Sequence, residues 1–299
     1  MIFREMGEVV PGLHALGSAH TPSYLIDGDR PLLIDSGMSY LGPRYVEHAR
    51  RVLGGRSPWM VAHTHAHFDH CGSTAQLVEA FPGLRVASSA LGAEIVTRPR
   101  ALETIRALND NGRSHFSPAS PAVEFRPFTV DTVLAEGDEL SVGEGTTVRV
   151  LATPGHTRDF LSYYVPERKL LVASEAVGCL HTSGRVMVEF GADYDAYLAS
   201  LRRLSGLDVE VLCQGHEVVF VGEDCAAHMA RSIEATQRYG EWVDRLLGEE
   251  SGDVAAVVAR VKELEWEPLP APKQPESAYL LNTEARVRNL AARRNLPKK

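Results

Sequence analysis

Val61-Ala62-His63-Thr64-His65-Ala66-His67-Phe68-Asp69-His70-Cys71-Gly72 is the stretch from which the rest of this chain is read. His65, His67, Asp69 and His70 place four metal-binding side chains within six positions, a density that chance rarely produces. Trp59, Met60, Val61 and Ala62 before it read as the end of a buried strand. Gly72-Ser73-Thr74, followed by Leu77, Val78 and Phe81, reads as the start of a helix that Ser73 can cap. The histidines therefore occupy a strand-to-helix loop, where a rigid scaffold fixes exposed donors. Alternate residues on extended backbone point the same way, so His65 and His67 can approach one ion while Asp69 and His70, past the bend, face a second. Imidazole nitrogen and carboxylate oxygen suit zinc, iron or manganese. The four cysteines, Cys71, Cys179, Cys213 and Cys225, form no CxxC pair, which argues against a structural zinc site and against a disulfide framework.

Upstream, Leu13 to Leu16, Tyr24 to Ile26 and Leu32 to Ile34 read as strands, the last two joined by a tight turn at Asp27-Gly28-Asp29. Asp35-Ser36-Gly37 leads into a helix of about Tyr40 to Leu53. Downstream, a helix near Ser73 to Ala80, a strand at Leu84 to Ala87 and a helix from Ser89 continue an alternation that favours a layered α/β protein. Residues 97–128 interrupt it with arginines and prolines. That insert is either a lid whose Arg106 and Arg113 meet an anionic substrate or a solvated helix and loop. Strands return at Thr147 to Leu151, Leu161 to Val165, Leu170 to Ala173 and Val209 to Leu212, and a helix at Asp193 to Leu204. Three of these strands end on His156, Glu175 and His216. Beyond Gly222 the pattern becomes helical: Glu223 to Leu247, Asp253 to Leu264, and Glu276 to Arg294 after a break rich in proline at 268, 270, 272 and 275. The expected division is residues 1–221, carrying the insert at about 97–128, and a helical extension over 222–299 that either caps the site or forms a homodimer contact.

Composition bounds the partners. The 44% apolar and 23% charged content is that of an ordinary globular chain. A net charge of −8 argues against nucleic acid or an anionic membrane as the main partner. No apolar run approaches the roughly 20 residues that span a bilayer, and residues 1–11 lack the apolar core of a secretory signal, so a cytoplasmic location is expected.

Thr64-His65-Ala66-His67-Phe68-Asp69-His70 resembles the T-H-x-H-x-D-H signature of the metallo-β-lactamase-fold hydrolases, with Thr153-Pro154-Gly155-His156-Thr157, Glu175 and Gly215-His216 in the family's order over about residues 8–220. The resemblance implies a four-layer αββα sandwich. It implies that His65, His67 and His156 bind one divalent ion, that Asp69, His70 and His216 bind another, that Glu175 bridges them and that Asp35 supports the site from behind. The implied chemistry is hydrolysis by a hydroxide shared between two ions roughly 3.5–4 Å apart, oriented by Asp69. Two departures stand out. The family usually has Gly-Asp where this chain has Ser174-Glu175, one methylene longer, and Gly-Gly where it has Gly72-Ser73.

The length, the helical tail and Phe190-Gly191-Ala192-Asp193-Tyr194-Asp195-Ala196-Tyr197-Leu198 are similar to the branch of hydroxyacylglutathione hydrolases and quinolone-signal thioesterases, which implies a small-molecule thioester of acyl-CoA or acyl-glutathione type. His181 and Tyr194 are candidate pocket residues beside Arg106 and Arg113. The alternatives are a di-iron redox or oxygen-reactive protein, a persulfide-dioxygenase-like protein, and a non-enzymatic signalling protein that keeps the fold.

Overall fold

The computed structural model describes residues 1–143, 145–270 and 273–294, so Pro272 of the proline-rich break and the last five residues lie outside it. Two seven-stranded sheets stack face to face. Their central strands, Leu32–Ile34, Met60–Ala62, Leu170–Val172 and Val211–Cys213, are apolar throughout because both of their faces are covered. Strand alternation sorts the side chains. Leu32, Ile34, Met60 and Ala62 meet Leu170, Val172, Val211 and Cys213 between the sheets. Leu33 and Val61 face outward onto Tyr45, Ala49, Leu53, Leu77 and Phe81 of the first helical layer. Leu171 and Leu212 face outward onto Tyr197, Leu201, Val243, Val257 and Val287 of the second. This is the four-layer αββα sandwich, and the C-terminal helices share the core of its outer layer.

Leu32–Ile34, Met60–Ala62 and Arg85–Ser89 run parallel, as do Leu170–Val172 and Val211–Cys213 in the other sheet. Parallel strands release their following loops on one edge, where ligand sites of open α/β sheets form. Hydrogen bonds tie the sheets there, among them Leu161 N–H to Thr64 O at 2.8 Å, Tyr163 Oη–H to His63 O at 2.6 Å and Tyr24 Oη–H to Gln214 O at 2.7 Å.

Helix limits follow their caps. The Asp193 carboxylate accepts from Ala196 N–H ahead of Tyr194–Ser205, and Ser89 Oγ accepts from Gly92 N–H ahead of Ala90–Ile95. Ser73 is a correction: it precedes Thr74–Ala80 without capping it, because its hydroxyl donates instead to Met38 O at 2.6 Å. The insert holds an 18-residue helix, Pro99–Phe116. Its buried face is Ile105, Asn109 and Gly112, and Asn109 is the anchor. The Asn109 Oδ1 accepts from Ser39 N–H at 2.7 Å while its Nδ2 donates to Phe68 O at 3.1 Å, so the insert is fastened to the histidine loop. The short strands Ile2–Phe3, Thr132–Leu134, Glu139–Gly143 and Val219–Val221 have no counterpart in the sequence reading. Such strands exist by pairing with a neighbour more than by local preference.

Candidate metal centre

His65, His67, Asp69, His70, His156, Glu175 and His216 converge at the loop edge of the sandwich. Their ligand atoms form three overlapping groups, each within 4.8 Å: His65, His67 and His156; His65, His70 and Glu175; Asp69, His70 and His216. Long-range contacts aim the rings. His70 Nδ1 is 2.9 Å from Asp35 Oδ2, His156 Nδ1 is 2.5 Å from Glu189 O, and His216 Nδ1 is 2.5 Å from His20 O. Those acceptors hold the proton on Nδ1 and leave Nε2 free to face the centre. His65 stacks on Phe160 with ring centroids 4.7 Å apart.

Asp35 is 3% exposed and sits at φ +61°, a backbone state uncommon for a residue other than glycine. That turn lets its carboxylate reach back to accept from Thr64 N–H at 2.7 Å and Thr64 Oγ1–H at 2.8 Å besides His70. Glu175 follows Ser174, which is also at positive φ, and Ser174 Oγ donates to Glu175 Oε2 at 2.7 Å. Glu175 Oε1 then lies 2.8 Å from His70 Nε2 and 3.0 Å from His216 Nε2. Room for the longer side chain comes from Gly215, where a Cβ would stand 2.2 Å from Glu175 Oε1.

The electrostatics are those of an anionic hole lined by nitrogen. Burial, then His70 and His67, push His65 well below the ordinary imidazole range, and burial pushes His67 and His156 down as well. At His70 and His216 burial also works downward, but the carboxylates outweigh it: Glu175, Asp69 and Asp35 lift His70 well above the usual value, and Glu175 with Asp69 lifts His216 to about 9. Burial opposes ionisation of Glu175, yet His70, His216 and His65 hold it well below the usual carboxylate range. Buried carboxylates require a positive partner. The Nε2 atom of His65 is buried with no hydrogen-bond partner and those of His70 and His216 converge on one carboxylate oxygen, so the donor set fits a divalent cation bound by nitrogen and oxygen.

The other expected site residues are dispersed. Arg106 is exposed and Arg113 half-buried on the insert helix, and neither makes an ion pair among the described residues. His181 is half-buried in the loop after Cys179–Leu180, where its Nδ1 is 2.9 Å from Ser183 Oγ. Tyr194 does not join the cluster; it packs among Phe190, Gly240 and Arg293 of the outer helical layer. Tyr197, one turn further on, is the residue of that segment that reaches the site, donating to Glu175 O at 2.9 Å. Asp159, which accepts from Ala66 N–H at 2.8 Å, also lay beyond sequence reading. Cys71 is fully buried against Ile105 and Phe125, turned from the ligand groups.

The model of the metallo-β-lactamase superfamily matches residues 17–216. A hydroxyacylglutathione hydrolase from Idiomarina loihiensis is 27% identical over 227 residues, covering 75% of this chain and 70% of that protein. An atrochrysone carboxyl ACP thioesterase from Aspergillus fumigatus is 27% identical over 225 residues, covering 73% of this chain but only 56% of that protein's length. A metallo-β-lactamase family protein from Thermus thermophilus superposes with a TM-score of 0.68 at 21% identity, covering 98% of this chain and 97% of that one.

Proposed function

The chain belongs to the metallo-β-lactamase superfamily and is a metal-dependent hydrolase, and from that premise we propose that it holds two ions and cleaves thioesters of acyl-glutathione or acyl-CoA type. The observation that carries the dinuclear reading is Glu175, whose Oε1 lies within 3.0 Å of Nε2 on both His70 and His216 while its other oxygen is 4.0 Å from His65 Nδ1. One carboxylate thus spans both imidazole groups. His65, His67 and His156 would hold the first ion, Asp69, His70 and His216 the second, with Glu175 between them. The thioester assignment draws on the activities named for the two curated relatives, each acting on an acyl group carried by a thiol.

Bound divalent ions supply Lewis-acid polarisation of the acyl oxygen and a water whose pKa is lowered toward neutrality. The chain does the rest. Asp69 Oδ2 lies 3.8 Å from Nε2 of both His70 and His216. Burial opposes its ionisation, but His70 and His216 hold the carboxyl below its usual range, so at neutral pH it is ionised and can accept a hydrogen bond from a water. Asp35, Glu189 O and His20 O keep the imidazoles from rotating. Tyr197 and Ser174 fix Glu175 from the carbonyl and carboxylate ends.

Acyl-CoA, acyl-glutathione, lactone and phosphodiester substrates on metal-loaded protein, with His67→Ala as control, test this. Thioester turnover that the control abolishes is expected; cleavage of the phosphodiester alone would overturn the thioester assignment. Metal analysis giving one ion or fewer per chain would overturn the dinuclear one.

Two further outcomes follow from the geometry. An imidazolium cannot ligate, so metal uptake must displace protons from His216, raised to about 9, and from His70. A raised value means the proton stays until pH approaches it. Metal affinity is therefore expected to rise from about pH 6 to pH 9 with proton release, read by calorimetry in buffers of different ionisation enthalpy; an affinity flat over that window contradicts it. Gly215→Ala pushes a methyl into Glu175 and is expected to weaken metal binding by about tenfold or more, measured by competition with a chelator.

A further inference from the structure

Away from the seven ligand-type residues, a cleft of about 490 Å³ lies between the helix Glu223–Glu249, the hairpin around Gly184 and the turn at Glu265. That volume is in the range of small-molecule sites, roughly 300–1,000 Å³. Arg231, Arg238 and Arg245 recur every seventh residue along one face of the helix, and Arg185 faces them from the hairpin. The two carboxylates of the cleft are committed already: Glu234 to Arg238 at 3.2 Å and Glu265 to Arg185 at 2.7 Å. Arg231 donates only to a backbone carbonyl, Gly184 O, and Arg245 makes no ion pair among the described residues. Four guanidiniums therefore face two carboxylates on a chain whose net charge is −8.

An arginine stripe on a convex helix surface is ordinarily just solvated. Here it lines a concavity with a fourth arginine opposite. An aromatic side chain borders the same concavity. The half-buried indole of Trp242 stands in its wall, edge-on to the Tyr239 ring with centroids 5.7 Å apart.

We propose that this cleft binds an elongated organic phosphate bearing an aromatic base, a ligand of nucleotide type, with its phosphates among Arg185, Arg231, Arg238 and Arg245 and its base against Trp242. Guanidinium forks match phosphate oxygens, and an indole face accepts any base by stacking. Length favours an extended ligand: at ~1.5 Å per residue, Arg231 and Arg245 stand about 21 Å apart along the helix axis, more than an inorganic phosphate can span. The proposal is independent of the thioester reading, since no residue of the metal centre lines the cleft.

Calorimetric titration of the full metal-loaded chain with ADP, adenosine, inorganic phosphate and tripolyphosphate tests it. ADP is expected to bind one per chain and about tenfold or more tighter than adenosine or phosphate. Arg245→Glu, which breaks no ion pair among the described residues, is expected to weaken ADP by about tenfold or more and leave hydrolysis unchanged. Arg231→Ala should weaken it likewise. Equal ADP binding by wild type and Arg245→Glu would overturn the site, and would also be the result if the nucleotide only chelated the catalytic ions. Tripolyphosphate binding as tightly as ADP would overturn recognition of a base, and absence of ADP binding up to about 1 mM would overturn the proposal entirely.

Discussion

Asp69→Asn is expected to lower kcat/KM by about 10²–10⁴-fold while leaving the fold intact. Asparagine keeps the shape of the side chain but cannot take up a proton. Asp69 is positioned for that task by its place in the first turn of the short helix Phe68–Cys71, immediately after the bend at His67. Its Oδ2 is 3.8 Å from Nε2 of His70 and of His216, close enough to share their site yet without the short contact that Glu175 makes to both. The substitution also removes a negative charge facing two raised imidazoles, so metal should bind more weakly. Measuring kcat/KM at saturating metal, together with metal content, separates the two effects. Activity within about threefold of wild type in a fully loaded Asp69→Asn protein would remove Asp69 from the proposed proton transfer.

Asp35→Ala should cost stability as well as activity. Its carboxylate accepts from Thr64 N–H, Thr64 Oγ1–H and His70 Nδ1–H in a buried environment. Each buried donor left without an acceptor costs about 1–3 kcal/mol. Alanine must also hold φ +61° without the polar side chain that makes this conformation tolerable in aspartate. With some relaxation, a loss of about 3–5 kcal/mol is expected in denaturant unfolding of the metal-free protein. Metal affinity should drop by about 10–100-fold, because His70 is no longer aimed. Asp35→Asn separates the causes. Its amide oxygen can still accept from Thr64 N–H, so much of the stability should return, but an amide nitrogen opposite His70 Nδ1 cannot accept and should leave metal binding impaired. Recovery of both together would show that Asp35 acts on the fold alone.

The cluster of nitrogen and oxygen donors was open to sequence reading because its members are local or strand-terminal. His65, His67, Asp69 and His70 declare themselves by spacing, while His156, Glu175 and His216 each follow an apolar run that ends abruptly in polar residues. The limits of Leu32–Ile34, Leu161–Val165 and Glu276–Arg294 match the sequence reading residue for residue. The insert was harder. Its helix buries asparagine and glycine where an amphipathic helix would ordinarily show leucine or valine, so its docked face looks solvated until Ser39 and Phe68 are seen against it. Tyr194 and Tyr197 are adjacent in helical phase and alike in chemistry, and nothing in the segment says which one turns toward Glu175.

What the sequence determined by itself is the layering and the donor set. Short apolar runs alternating with helical stretches specify the strands and the layers, and the histidine stretch supplies nitrogen and oxygen donors suited to a divalent ion. What only the tertiary structure decided is how those donors are aimed. The carbonyls of Glu189 and His20 orient His156 and His216, the left-handed turn at Asp35 secures His70, and the missing Cβ of Gly215 admits the extra methylene of Glu175. The contacts that aim the three imidazoles join residues 33 to 196 positions apart. Sequence periodicity carries the face of an element but not which distant element will pack against it, so such contacts exist only once the two sheets have closed on each other.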